Sequence, residues 1–288
     1  MKQPIVVGIG ELLWDLLPSG KRAGGAPINF VYHAAQLGAT SYAISAVGKD
    51  ALGAEIIQEL NTNRIHPVLS TVDYPTGTVP VVLKDGLPAY TIVEDVAWDH
   101  LPFNEKAVDI LRRADAVCYG TLALRHPDTR ATIFRLLSEV RSTALFFFDI
   151  NLRETYYSKE LIERLLQPAT VFKLNDDEIK VMRRLFALTG TDDDICQKLL
   201  DKYHLDYLIF TAGEKYSVVY TPTEKSFIET PVVSTVDTVG AGDAFSGAFV
   251  YSLLTGKSLR QAHEKAVAVS AYVCTQSGAW PPYKDFKS

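Results

Sequence analysis

Short runs rich in β-branched and aromatic residues alternate with longer stretches of helical periodicity, and this alternation constrains the fold more than any other feature of the chain. The strand-like runs are Ile5–Gly10, Ser41–Val47, Ala116–Tyr119, Ala144–Asp149, Val171–Leu174, Tyr207–Thr211 and Ser217–Tyr220. Helical stretches lie at Pro27–Leu37, Ala51–Asn61, Glu105–Arg113, Asp128–Val140, Lys159–Leu166, Asp176–Leu185, Asp192–Tyr203, Ala241–Leu254 and Ser258–Cys274. Such alternation reads as βαβ units, in which crossover helices cover a mainly parallel sheet. The expected class is α/β. Ser258 with Gln261 supplies a capping-box start for the last long helix.

One region breaks the rhythm. Thr76–Leu83 and Pro88–Val93 are strand-like with no helix between them, and the linking Lys84-Asp85-Gly86-Leu87 carries an Asp-Gly pair that favours a hairpin turn. A further extended stretch, Leu12–Leu17, precedes the Gly24-Gly25 pair. These segments, about 12–23 and 76–98, are expected to form a small antiparallel sheet projecting from one large domain over 1–288, placed to close over a substrate and exclude water. The exposed sheet is also a candidate surface for a homodimer.

Composition narrows the function classes. The chain has 288 residues, 47% hydrophobic, enough for a sizeable core. With a formal charge of −5 and no basic block, it lacks the footprint of a nucleic-acid binder, whereas a local site can still take an anion. Cys118, Cys196 and Cys274 are odd in number and far apart, which suits a reducing compartment better than disulfides or a metal knuckle. The opening residues lack the apolar length and cleavage site of a secretory signal, and no apolar stretch approaches the roughly 20 residues that span a bilayer. A cytoplasmic protein without membrane contact is expected.

The chemistry concentrates at Gly240-Ala241-Gly242-Asp243, between the extended stretch Val232–Val236 and a strongly helical one. Ala244, Phe245, Ala248, Phe249 and Leu253 fall at helical spacings, so the glycines lie at a helix N-terminus. There the first amides lack intrahelical partners and the dipole favours negative charge. Glycine lets an anion approach the backbone. A carboxylate in the first turn, Asp243, can accept a proton beside that cradle; alone, it could equally be a helix cap. Other nucleotide signatures fail: the third glycine of a dinucleotide loop beginning at Gly8 would fall at Leu13, and the leading glycine of a P-loop ending at Gly256-Lys257-Ser258 would be Tyr251.

Together the motifs resemble the PfkB family of ribokinase-like carbohydrate kinases. Gly24-Gly25-Ala26-Pro27-Ile28-Asn29, leading to Leu37-Gly38, is similar to the family's N-terminal signature, and Asp237-Thr238-Val239-Gly240-Ala241-Gly242-Asp243-Ala244-Phe245-Ser246-Gly247 to its C-terminal one. Within the family, Gly10-Glu11-Leu12-Leu13-Trp14-Asp15 and Gly24-Gly25-Ala26-Pro27 most resemble fructokinases. The resemblance implies a three-layer α/β/α domain with a small β lid, ATP as co-substrate, Mg²⁺, and transfer of the γ-phosphoryl group to a sugar hydroxyl, first of all D-fructose. Ribose, 2-keto-3-deoxygluconate, nucleosides and sugar phosphates stay open as acceptors, with Lys21, Arg22, Arg125 and Arg153 as cations available to a charged one. A non-catalytic sugar sensor on the same fold ranks lower, because Asp243, Gly240, Gly242, Asn175 and Glu178 are all present.

The resemblance also carries roles to individual residues. It makes Asp243 the base and Gly240, Ala241 and Gly242 the anion hole, and it assigns Asp15, Gly25 and Asn29 to the sugar. Asp149-Ile150-Asn151-Leu152-Arg153 is similar to a segment whose Asn and Arg, here Asn151 and Arg153, lie near substrate or phosphate. Asn175-Asp176-Asp177-Glu178 is similar to a motif linked to Mg²⁺ and phosphate, with Glu178 acting through water. Thr211 and Gly213 match a nucleotide loop, the loop after Ser258–Cys274 and that helix are candidates for the adenine pocket, with His263 offered there but read by itself as an ordinary half-buried helical residue, and a K⁺-like ion could sit between Asp237–Val239 and Ser277-Gly278-Ala279.

Overall fold

Three phenylalanines in a row, Phe146, Phe147 and Phe148, dictate a sheet covered on both faces. Successive side chains of a strand point to opposite sides. Phe146 and Phe148 accordingly join one apolar cluster and Phe147 another. The computed structural model describes residues 3–17, 20–84 and 87–286, the side chains at 81–84, 87–90 and 285 excepted.

From the N-terminus, β1 (Ile5–Ile9) leads into two short strands, β2 (Leu13–Leu17) and β3 (Gly20–Gly24), and then helix α1 (Ala26–Leu37). Next come β4 (Thr40–Gly48), α2 (Ala51–Thr62), β5 (Ile65–Val72), β6 (Gly77–Lys84) and β7 (Leu87–Tyr90). After a 3-10 turn at Ala97–His100 follow α3 (Glu105–Leu111), β8 (Ala116–Tyr119), α4 (Pro127–Leu137), β9 (Leu145–Asp149), α5 (Lys159–Leu166) and β10 (Val171–Asn175). The remainder is α6 (Glu178–Leu185), α7 (Asp192–Lys202), β11 (Tyr207–Thr211), β12 (Tyr216–Tyr220), β13 (Lys225–Glu229), α8 (Ala241–Leu254) and α9 (Leu259–Cys274).

Among the described residues these strands form two sheets: a nine-stranded one, ordered β13-β12-β11-β10-β9-β8-β1-β4-β5, and a four-stranded one, ordered β3-β2-β6-β7. In the large sheet β5 through β11 run parallel, and β12 and β13 add antiparallel at one edge. Helices α3 to α7 pack with Val7, Val117, Phe148 and Phe172 on one face; α1, α2, α8 and α9 pack with Val6, Ala116, Phe147 and Val171 on the other. This is the expected three-layer α/β/α arrangement with a separate small sheet.

Several details differ from the sequence reading. The small sheet is mixed rather than antiparallel, because β2 pairs with β6 in parallel. The two segments are distant in the chain, so no tight turn forces them to run opposite ways. The Asp85-Gly86 turn lies outside the described residues. Two strands carried too weak an apolar signal: β5, an edge strand holding His66 and Pro67, and β13, the opposite edge, where Lys225 and Glu229 are exposed. The Val232–Val236 stretch is not a strand, and Val232 and Val236 are exposed; β-branched residues need a partner strand, and none is paired there. The Ser258–Gln261 capping box forms as expected.

The four-stranded sheet is anchored through Trp14, whose indole N–H donates to the Leu52 carbonyl of α2 at 3.0 Å. Phe148 is fully buried, stacked between Tyr119 and Phe172. Phe148→Ala should therefore destabilise the fold by about 3–5 kcal/mol, read as a lowered urea midpoint.

Candidate active site

The carboxyl ends of the parallel strands converge on one trough, as expected for open α/β sheets. Glu11 follows β1, Asp149 and Asn151 end and follow β9, Asn175 and Thr211 end β10 and β11, and the N-terminus of α8 brings Gly240 to Asp243. The small sheet roofs one side with Asp15 and Arg22. The trough consists of two cavities of about 630 and 850 Å³. Asn175, Thr211, Thr238 and Gly242 line both, so the cavities meet at the start of α8.

Gly240 makes that start possible. Its φ of 77° is left-handed, and a Cβ there would lie 2.6 Å from that of Ala279. No side chain caps α8, so its first turn presents polarised amides to the cavity junction. The Ala241 amide donates to the Thr238 carbonyl at 3.2 Å. Behind Gly242 stands Lys173, whose Nζ would be 3.3 Å from a Cβ at that position. Lys173 is buried and bonded to Asp149 at 2.6 Å. Burial pulls its pKa down, but the charges of Asp149 and Asp243 outweigh that and hold it raised, so the ammonium stays charged under the cradle.

Asp243 closes the floor of the smaller cavity. Burial, then the nearby Asp149 charge, push its pKa up to about 6, against opposing effects of Lys173 and the Asn29 hydrogen bond. Asn29 was expected to hold a substrate. The structure shows Asn29 lining the cavity, with each end of its amide engaged once within the protein: Nδ2 donates to Asp243 Oδ2 at 2.8 Å, and Oδ1 accepts from the Trp280 indole at 2.7 Å. Asn29 thus orients the carboxylate, and Trp280 orients Asn29.

Two further acids face the same cavity. Glu11 is buried and its pKa is raised to about 7 by burial. One of its oxygens accepts from the Ala26 amide at 3.2 Å, and the other has no hydrogen-bond partner among the described residues. Gly25 allows this wrap, since a Cβ at its φ of 113° would strike the Glu11 carbonyl oxygen. Asp15, on β2, is raised to about 6 by burial, partly offset by Arg22. Asn151 and Arg153 line this cavity as well, with Asn151 in a left-handed conformation at φ 37°.

On the far side Asn175 Oδ1 accepts from the amides of Asp177 and Glu178, both at 2.9 Å, which starts α6. Glu178 is buried, with its carboxylate accepting from Leu152 and Asn175 amides at 3.0 and 2.8 Å; burial raises its pKa. Thr211 and Gly213 line the larger cavity. His263 does not line it: the imidazole is buried between Ser217 and Ser226, at 2.8 and 2.9 Å, behind Phe245. The Asp237 and Ser277-Gly278-Ala279 segments do meet, as Asp237 accepts from the Gly278 amide at 2.9 Å. Arg22 stands 3.6 Å from the same carboxylate and donates to Ser277 at 2.8 Å.

A hydroxyl placed at Asp243 would lie beside a polarised helix end, a buried ammonium and a second cavity open to an anion. The pfkB family carbohydrate kinase model matches residues 19–285. The chain belongs to the pfkB family of carbohydrate kinases. It is 32% identical to a fructokinase of Escherichia coli, covering 87% of this chain and 83% of that protein. It is 26% identical to an ATP-dependent 6-phosphofructokinase of Thermoanaerobacterium thermosaccharolyticum, covering 95% and 89%. Its structure is similar to that of an uncharacterized sugar kinase from Pyrococcus horikoshii in complex with ATP, with a TM-score of 0.80, 27% identity and coverage of 98% and 96%.

Sequence reasoning missed three residues of this kinase's site. Lys173 had a visible signal, a lone cation in the apolar strand Val171–Asn175. Glu11 stood inside a quoted motif without a role, and Trp280 had no local signal at all. Among the cations offered for a charged acceptor, Arg22 and Arg153 line the cavity, whereas Lys21 pairs with Glu55 and Arg125 with Asp99. Because the Asn29 hydrogen bond favours ionised Asp243, Asn29→Leu should raise the carboxyl's pKa above about 6. A ¹³C-carboxyl NMR titration of both proteins reads this directly; an unchanged value would mean that the bond does not form in solution.

Proposed function

We propose that this kinase transfers the γ-phosphoryl group of ATP to a hydroxyl of a small sugar, with D-fructose giving fructose 6-phosphate as the first candidate. The observation that carries the reading is the position of Asp243 in the smaller cavity next to Gly242, where two cavities meet, one lined by acids and amides suited to hydroxyls, the other running past the start of α8. In this reading the sugar occupies the smaller cavity, where Asp15 and Asn151 offer directional hydrogen bonds. Asp243 accepts the proton of the attacking hydroxyl as its oxygen bonds to phosphorus. The Gly242 end of α8 and the Lys173 ammonium stabilise charge spreading over the transferred group.

Mg²⁺ fits this site through Glu178, since the Asn175 side-chain oxygen is already taken by the Asp177 and Glu178 amides. The Glu178 carboxylate is already held by two amides, which leaves it suited to contact through water rather than to full ligation. Bound Mg²⁺ would supply positive charge to the phosphates. The fructose assignment is supported by the likeness to the Escherichia coli fructokinase. A charged acceptor is a second reading, favoured by Arg153, which lines the cavity and has no carboxylate partner among the described residues, and by the likeness to a 6-phosphofructokinase.

Release of ADP from Mg-ATP across fructose, fructose 6-phosphate, ribose, 2-keto-3-deoxygluconate and a nucleoside tests both. Turnover on fructose, lowered roughly 10²-fold or more in Asp243→Asn, is the expected result. Turnover confined to fructose 6-phosphate would replace the acceptor, and near-normal turnover in the variant would remove Asp243 from the base role. Since only ionised Asp243 can take the proton, kcat/KM should fall as pH drops through about 6.

A further inference from the structure

A cluster of side chains away from both cavities has donor chemistry that phosphoryl transfer does not use. His100 ends the 3-10 turn after the small sheet, His126 precedes α4, and Asp128 lies in the first turn of α4. One ligand atom from each falls within 4.8 Å of the others. We propose that His100, His126 and Asp128 form a second, separate cation site that takes a borderline divalent ion of the Zn²⁺ type.

Spacing is the first argument. Nδ1 of His100 and Nδ1 of His126 stand 3.5 and 3.7 Å from the same Asp128 oxygen. These separations are long for hydrogen bonds. Ligands about 2.0–2.1 Å from a tetrahedral ion lie about 3.4 Å from each other, close to what is seen.

Tautomers are the second argument. His100 Nε2 is 2.8 Å from Asp95 Oδ1, a bond in which the ring nitrogen donates. In the neutral ring that leaves the lone pair on Nδ1, the atom facing Asp128. His126 Nδ1 accepts from the Asp128 amide at 3.4 Å, so its one lone pair is held only by a long bond that an ion would displace. A cation among these two nitrogens and the Asp128 carboxylate would engage both rings at once. A carboxylate holding the remote nitrogen of a ligating histidine is the usual supporting arrangement around such ions.

The ring of His100 is also held in place. Tyr74 stacks on it at 3.5 Å with the planes 9° apart, and Asp95 keeps a left-handed φ of 57°. Asp128 is largely exposed, leaving room for water to complete the coordination. Two imidazoles favour Zn²⁺-type ions over Mg²⁺, which prefers oxygen ligands. The site lies at the root of the small sheet, beside the buried Asp99–Arg125 pair, so an ion there would fasten that root to α4.

Untagged, EDTA-treated full-length protein should bind one Zn²⁺ at this site by calorimetry. It should also give the visible absorption of a four- or five-coordinate centre with Co²⁺, and excess Mg²⁺ should leave both unchanged. His126→Gln and the exposed Asp128→Asn should each weaken the binding at least about 10-fold, and Asp95→Asn should do so by about 10–100-fold. Circular dichroism of the metal-free variants checks that they fold. Absence of Zn²⁺ binding by the wild-type protein, equal binding by folded variants, or displacement by Mg²⁺ would each overturn the proposal. Fructose turnover with Mg-ATP is read separately, so failure of either proposal leaves the other standing.

Discussion

Helices α1 and α8 touch backbone to backbone, and the site depends on that contact. A Cβ at Gly247 would lie 2.5 Å from the Phe30 carbonyl oxygen, so any larger residue would push the helices apart. Their closeness lets Asn29, one residue before Phe30, reach Asp243, one turn before Gly247, at 2.8 Å. Trp280, near the other end of the chain, then holds the far side of the same amide. Residues from three distant stretches thus lock one carboxylate in a single orientation. Removing its freedom in advance lowers the entropic cost of aligning it with a substrate.

Electrostatics follow from the same enclosure. Asp149, Lys173, Asp243, Glu11 and Asp15 gather at one end of the sheet, where burial penalises every charge. The Asp149–Lys173 pair balances itself, and its ammonium faces the start of α8. The carboxyls with fewer partners drift upward instead, Asp243 and Asp15 to about 6 and Glu11 to about 7. A carboxylate near that range is a better proton acceptor at neutral pH than an ordinary aspartate. The small sheet takes part in this balance, because Arg22 reaches from β3 to Asp237 and Ser277 beside the start of α8.

Legibility in the sequence tracked how local each signal was. The Gly240–Asp243 turn and the Gly24–Asn29 segment were readable because glycine placement and helix onset are set by neighbouring residues. So was the three-layer arrangement, since each strand–helix alternation is a local pattern. Edge strands β5 and β13 were not, because half-exposed strands carry mixed residues and owe their pairing to the sheet beside them. The parallel β2–β6 pairing likewise joins segments far apart in the chain.

By itself the sequence determined the α/β class, the glycine-led start of α8 and the presence of a carboxylate in its first turn, because these rest on local pattern and on backbone conformations that few residues can adopt. Only the tertiary structure decided that Asn29 serves Asp243 rather than open space, that Lys173 lies beneath Gly242, that His263 is sealed behind Phe245, and that His100 meets His126 and Asp128. Those outcomes depend on distance and burial between segments remote in the chain. Hydrogen bonding and desolvation act through space, and residue order does not encode them directly.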